Sequence, residues 1–302
     1  MYQIIIKATG FIVMILLGIF SRKAGLVTKA EGKTFGKVIM NFTLPCSLIY
    51  GFASVQFNIL MILSFFIGLG LSIGGMVIGK KVYGHKSNLE TANGMLCCSC
   101  YNISNFAIPF CQSFFTATAT GYLGMFDVGN CIMCLGGVNA FVEMVLHGKR
   151  KVNIKTLVSN LLHSVPFVVY LFLIFMSIIH INFPQAVMDV VGMIAPANIF
   201  LIMFMAGTQV DLTGSISALL PACKIIGIRY MLAIAAAIII YFLPLPLLFR
   251  QVMMIVPFSP ISSPTLIYAQ QNGCDVELTA MVSTLSMLCS IATYVVLIIV
   301  LL

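Results

Sequence analysis

Apolar residues along this chain fall in long runs separated by short polar gaps. A run of about 20 apolar residues is enough to cross the hydrocarbon core of a bilayer. Ten such runs lie at 3–20, 35–55, 57–79, 89–115, 122–146, 156–180, 185–207, 217–243, 245–270 and 276–302. The pattern predicts an all-α integral membrane protein with ten transmembrane helices, here termed spans 1 to 10. The connections are too short to hold a soluble domain, so any function must reside in the spans and the loops between them.

Composition agrees with that reading. Of 302 residues, 61% are hydrophobic and only 8% are charged, and the mean hydropathy is +1.10. A soluble protein carries about 25% charged residues, so a water-soluble globular fold is excluded. Span 1 begins at residue 3 and runs into a basic loop without a small-residue cleavage site, which marks it as a retained helix rather than a signal peptide.

The formal charge of +8 is a matter of orientation. Arg22, Lys23, Lys29, Lys33 and Lys37 follow span 1, Lys80, Lys81 and Lys86 follow span 3, and Lys149, Arg150, Lys151 and Lys155 follow span 5. These loops hold 12 of the 16 basic residues, and the connections after spans 2, 4 and 6 hold none. By the positive-inside rule the odd loops are cytoplasmic and both termini lie outside. The flanks Asp211 and Lys224 after span 7, and Asp275 and Glu277 after span 9, add little, because acidic residues weigh lightly in that rule. Nothing in the charge then calls for a nucleic-acid partner.

Proline spacing suggests an internal repeat. Span 2 carries Leu44-Pro45-Cys46-Ser47 with Ala53, Val55 and Gln56 after it, and span 7 carries Ala195-Pro196-Ala197-Asn198 with Ala206, Gln209 and Val210; the prolines are 151 positions apart. Pro109 in span 4 and Pro264 in span 9 are 155 apart. The two offsets divide the chain into five-helix units at 1–150 and 151–302, and an odd number of spans per unit forces opposite orientations. Such inverted repeats are the architecture of many secondary transporters, whose sites lie where discontinuous helices meet near the midplane.

Spans 4 and 9 carry the more specific signal. Proline removes a backbone donor and clashes with the preceding turn, and the carbonyls it frees must find partners inside the membrane. Asn102, Ser104 and Asn105 stand just before Pro109, and Ser259, Ser262 and Ser263 surround Pro260 and Pro264. These residues either cap broken turns and bond neighbouring helices or form a binding site. A half-helix that starts at such a break presents unpaired N–H groups and the positive end of its dipole, a ready place for a carboxylate.

The ionisable residues within spans are Asp127 and Glu143 in span 5, His163 in span 6 and Arg229 in span 8. Asp127, Glu143 and His163 are candidates for coupling to H+ or Na+. Asp127 reads either as an interfacial aspartate near the outer end of span 5 or as a proton carrier. Glu143 reads as an ion-pair partner of Lys149 or Arg150, and at 100° per residue it stands about 160° around the helix from Asp127. Asn139 faces the same way as Glu143. Cys97, Cys98 and Cys100, with the C-x-x-C pair Cys131 and Cys134, read as small hydrophobes, since no His lies close enough in sequence to complete a metal site. The sequons at Asn41 and Asn102 fall inside spans and are not expected to be glycosylated. No phosphate loop, H-E-x-x-H or G-x-S-x-G is present, and no cofactor is implied.

The stretch Lys37-Val38-Ile39-Met40-Asn41-Phe42-Thr43-Leu44-Pro45, with Ser47 to Val55 after it, resembles the span 2 signature of the auxin efflux carrier family. That family includes plant auxin exporters and bacterial permeases for malate and related organic acids, and sits in a bile/arsenite/riboflavin-transporter-like superfamily. Asn102 to Pro109 is similar to its span 4 crossing segment, with Ala107 where the family more often has Gly. Pro264 to Gln271, followed by Asn272-Gly273-Cys274-Asp275, is similar to its carboxyl-terminal part. The resemblance covers essentially the whole chain. It implies two inverted five-helix repeats, broken spans 4 and 9 crossing at the substrate site, Asn102 in contact with a substrate carboxylate, and Pro109 and Pro264 at the crossing.

The long cytoplasmic loop of the plant exporters is absent, since only His147 to Thr156 joins the halves. That favours a compact prokaryotic-type permease in the cell membrane. The expected function is secondary-active transport of small organic anions, mono- or dicarboxylates such as malate or auxin-like acids, by alternating access. The rivals are a non-transporting membrane receptor on the carrier fold and an integral-membrane enzyme. Substrate, coupling ion, direction and oligomeric state, including a homodimer, stay open.

Overall fold

The computed structural model describes residues 2–52, 55–148, 154–210 and 216–302, and among these all extended regular structure is helical. The helices are α1 (Tyr2–Lys23), α2 (Lys29–Val38), α3 (Leu44–Phe52), α4 (Ile59–Tyr83), α5 (Asn88–Cys98), α6 (Ile108–Gln112), α7 (Ala117–Ile132), α8 (Val138–His147), α9 (Ile154–His163), α10 (Val165–Ile178), α11 (Gln185–Gln209), α12 (Ile216–Phe242), α13 (Leu247–Ile255), α14 (Pro264–Gln271) and α15 (Val276–Leu301). Five helical stretches among the described residues are long and apolar enough to cross a membrane: α4, α7 continuing into α8, α11, α12 and α15. They coincide with spans 3, 5, 7, 8 and 10. Ile238, Ile239 and Val300 are more than half exposed on them, the apolar outer surface of a multi-pass membrane protein. Ala53, Lys149, Arg150, Lys151 and Asp211 lie outside the described residues, as does the boundary at 150/151 between the expected halves.

Spans 2, 4, 6 and 9 are interrupted, each for a reason visible in the chain. Pro45 and Pro109 each stand two residues after a π-turn, at Ile39–Thr43 and Ile103–Ala107. The wider turn, closed by Leu44 N–H to the Ile39 carbonyl and Ile108 N–H to the Ile103 carbonyl, makes room for a ring that would otherwise strike the carbonyl four residues back. Span 6, expected as one helix, bends by 81° between α9 and α10. Ser164 there is extended and Pro166 starts a new first turn, a position proline favours because the N–H it lacks has no helical partner. Span 5 begins at Ala117, earlier than expected, and kinks at Gly136, whose φ of +152° suits only glycine.

Capping boxes open α2 and α5. Thr28 and Glu31 bond reciprocally at the first, Ser87 and Glu90 at the second. The Thr28 N–H and hydroxyl hold the exposed Glu31 carboxyl below its ordinary pKa.

The helices gather into two groups. α1 packs along α11, and α3 packs on both α10 and α11. In the other group α4 lies against α5 and α7, α12 against α13 and α15, and α5 and α14 join the two sets. Glycine sets the closest approaches. A Cβ at Gly68 would fall on the Phe126 carbonyl oxygen and one at Gly129 on that of Phe65, while Gly18 and Gly207 stand in the same relation across α1 and α11. Small residues let backbones meet where lipid supplies no hydrophobic drive.

Gly129→Ala or Gly207→Ala should therefore force two backbones apart, lowering stability in detergent by about 1–3 kcal/mol. Gly70→Ala and Gly74→Ala, whose added Cβ meets nothing within 4 Å, should be neutral or mildly stabilising. Thermal unfolding of the four variants checks this, and equal midpoints throughout would contradict the packing.

Candidate functional site

Spans 4 and 9 are both broken, and the breaks lie against each other. α5 ends at Cys98, and four residues later the chain resumes as the π-turn leading into α6. α13 passes into a short 3-10 turn at Val256–Phe258, and α14 starts at Pro264. Between them Tyr101 and Ile261 form an antiparallel bridge, with the Asn102 N–H donating to the Pro260 carbonyl at 2.9 Å. Each break thus supplies part of what the other lacks.

Side chains from neighbouring helices supply the rest. Asn130 on α7 accepts from the Tyr101 N–H at 3.0 Å and donates to the Tyr101 carbonyl at 2.8 Å. Ser286 on α15 accepts from the Ile261 N–H at 3.2 Å, and Ser290 donates to the Phe258 carbonyl at 2.6 Å. Arg229 on α12 is 3% exposed. Its guanidinium donates to the carbonyls of Cys97 (3.2 Å), Ser99 (3.4 Å) and Ser259 (3.2 Å), with Cζ 4.6 Å from the centre of the Tyr101 ring. One cation therefore serves the carboxyl-terminal ends of both half-helices, where the dipoles are negative.

A cavity of about 410 Å³ opens beside the crossing, within the 300–1,000 Å³ usual for small-molecule sites. Asn102, Ser104, Asn105, Ser262, Ser263, Pro264 and Asp127 line it on one side; Lys37, Met40 and Asn41, with Ser164, Pro166 and Met205, line it on the other. The Asn105 Oδ1 atom is buried without a protein hydrogen-bond partner. Pro109 and Ser259 stand apart from the cavity: Pro109 is buried in the first turn of α6, and Ser259 bonds the Val256 carbonyl and the Tyr294 hydroxyl.

Asp127 is 2% exposed. α7 starts at Ala117, earlier than the expected start of span 5, so Asp127 stands in the middle of that helix. Its Oδ2 accepts from the Ser104 hydroxyl and from Tyr170 Oη at 3.1 Å; its Oδ1 accepts from Asn130 Nδ2 at 3.0 Å and from Cys131 Sγ at 3.8 Å. Glu143 stands away from this group and accepts from Asn139 at 3.0 Å, and Asn139 in turn accepts from Asn272 at 2.7 Å. Its expected partners Lys149 and Arg150 lie outside the described residues. His163 is exposed at the end of α9, its ring against the Ser159 carbonyl, and does not line the cavity. Cys97 and Cys98 pack with α12, and Cys100 with Cys134, in apolar clusters.

Asn130, Tyr170 and the placement of Arg229 escape sequence reading, because each acts on a backbone or a carboxylate from a different span. Hydrogen bonds from a charged donor contribute about 1.5–3 kcal/mol each. Arg229→Met should cost about 3 kcal/mol or more by orphaning three carbonyls, and Arg229→Lys, which keeps the charge without the fork, should lose less. Thermal unfolding in detergent reads both; an unchanged midpoint for Arg229→Met would remove Arg229 from its place in the crossing.

No family model matches the chain, and no curated protein matches it.

Proposed function

We propose that this protein is a secondary-active transporter of small organic anions, with mono- and dicarboxylates such as malate or auxin-like acids as its substrate class. The observation that carries the reading is the pair of broken helices meeting at a polar cavity. Two helical segments, 103–112 and α14, begin at its wall with the positive ends of their dipoles. Together with Asn102, Ser104, Ser262 and Ser263, these ends offer donors to a carboxylate without a buried cation in contact with it.

Alternating access is supported by where the cavity lies. One wall belongs to the group containing α3, α10 and α11, the other to the group containing α5, α7 and α14. A second cavity of about 340 Å³, lined by Ser47, Gln112, Thr120 and Pro196, lies between the same groups. The Ser47 to Gln112 bond at 2.9 Å joins the two groups beside the second cavity. Breaking such contacts while the groups slide would open one cavity as the other closes.

In this reading the chain crosses the cell membrane ten times with both termini outside, as inverted repeats 1–150 and 151–302 of the auxin efflux carrier type. Asn130 in span 5 and Ser286 in span 10, each bonding the break of the preceding span, support the repeat. The charge pattern, with Lys37 among the residues lining the larger cavity, supports a cytoplasmic opening for it.

Proteoliposomes should take up labelled malate or indole-3-acetate and show counterflow, and Asn102→Ala should reduce uptake at least tenfold while the protein stays folded. Binding of a carboxylate without counterflow would make the protein a receptor. Uptake indifferent to Asn102→Ala would move the site elsewhere.

A further inference from the structure

Asp127 is the unexpected member of a site read as anion-binding. Among the described residues its carboxylate touches four donors and no cation. Ser104 both bonds it and lines the cavity, so an anion held by Ser104 would sit one hydroxyl away. Two like charges about 5 Å apart, at an effective dielectric near 20, repel enough to cost roughly two orders of magnitude in affinity. An ionised Asp127 also takes the Ser104 hydroxyl proton for itself, leaving Ser104 to meet the anion with a lone pair.

We propose that a proton on Asp127 accompanies each anion bound in the cavity, and that Ser104 relays one to the other. The inference rests on the anion reading above. With Oδ2 protonated, Asp127 donates to the Ser104 oxygen, and the Ser104 O–H swings from the carboxyl group toward the cavity. The proton comes from solvent, no bond other than the O–H is made or broken, and the bound pair carries one charge less than the anion alone.

Tyr170 ties this switch to motion. It stands on α10, in the other helix group, and reaches Asp127 Oδ2 at 3.1 Å and Ser104 at 3.1 Å across the interface. Protonation withdraws an acceptor from that contact, so the charge on Asp127 bears on whether the two groups hold together.

Other titratable groups face Asp127 less directly. Cys131 shares its helix, Tyr101 and Cys134 line the same cavity, and so does Lys37. Arg229 stands over the Tyr101 ring with its donors on carbonyls. The charged residues of the remaining helices packed on α7 are Lys80 and Lys81 on α4, Lys155 and His163 on α9, and Arg250 on α13. None of them bonds Asp127, so among the described residues no neighbouring cation substitutes for the proton.

The test is binding of labelled malate to purified protein between about pH 6 and pH 8.5, where malate stays ionised, with proton uptake followed by a pH dye in weak buffer. The expected result is affinity falling up to tenfold per pH unit on the alkaline side, with about one proton taken up per malate bound. Asp127→Asn, neutral at every pH, should bind malate with a flat pH profile and no proton uptake. Tyr170→Phe, which keeps the ring, should retain the uptake. Malate bound with a flat profile by the unmodified protein, or with an affinity set by sodium instead of pH, overturns the proton site and leaves the anion reading standing. Failure of malate, indole-3-acetate and succinate to bind at any pH overturns both. If Asp127→Asn does not fold, proton uptake by the unmodified protein still decides the matter.

Discussion

Buried backbone groups that leave a helix must find other partners, and this chain frees them twice at one place. The breaks of spans 4 and 9 survive because they face each other. The Asn102 to Pro260 bond and the bridge between Tyr101 and Ile261 join them directly, and Asn130, Ser286, Ser290 and Arg229 take up what remains. Without the pairing the backbone groups of residues 99–102 and 259–263 would lose partners, and Pro260 and Pro264 oppose closing span 9 into a continuous rod.

The same arrangement sorts charge. The carboxyl-terminal carbonyls of both leading half-helices point to Arg229, on the side away from the cavity, while the helical segments that follow begin at the cavity wall. Negative helix ends meet a fixed cation and positive ends meet whatever enters. A buried Arg is costly unless its donors are engaged, and here three carbonyls engage them. The cation is thereby held as a structural pin, and the polar side chains on the cavity wall stay available for a solute.

What the sequence made legible follows from how local each cause is. The interrupted spans 4 and 9 could be read because prolines and their neighbouring Ser and Asn residues lie within a few positions of each other. Their contact with one another could not, since Tyr101 and Ile261 are far apart in the chain and only the resemblance to a family suggested it. Span 6 was expected to run straight because Pro166 sits among apolar residues without a polar cluster to mark the bend. Span 5 reads as starting at 122 because the polar Thr116, Thr118 and Thr120 interrupt the apolar run, whereas α7 starts at Ala117. The helix starts at Thr28 and Ser87, each with Glu three residues on, carry capping-box spacing that the pattern of apolar runs passes over.

The central claim is that a carboxylate binds where the two breaks cross. Hydrogen exchange followed by mass spectrometry, with and without a carboxylate that the proteoliposomes take up, tests it without altering the chain. Peptides spanning residues 99–107 and 259–265 should both become protected on saturation, with little change along α4 or α12. Protection of only one break, or of neither, would contradict the account.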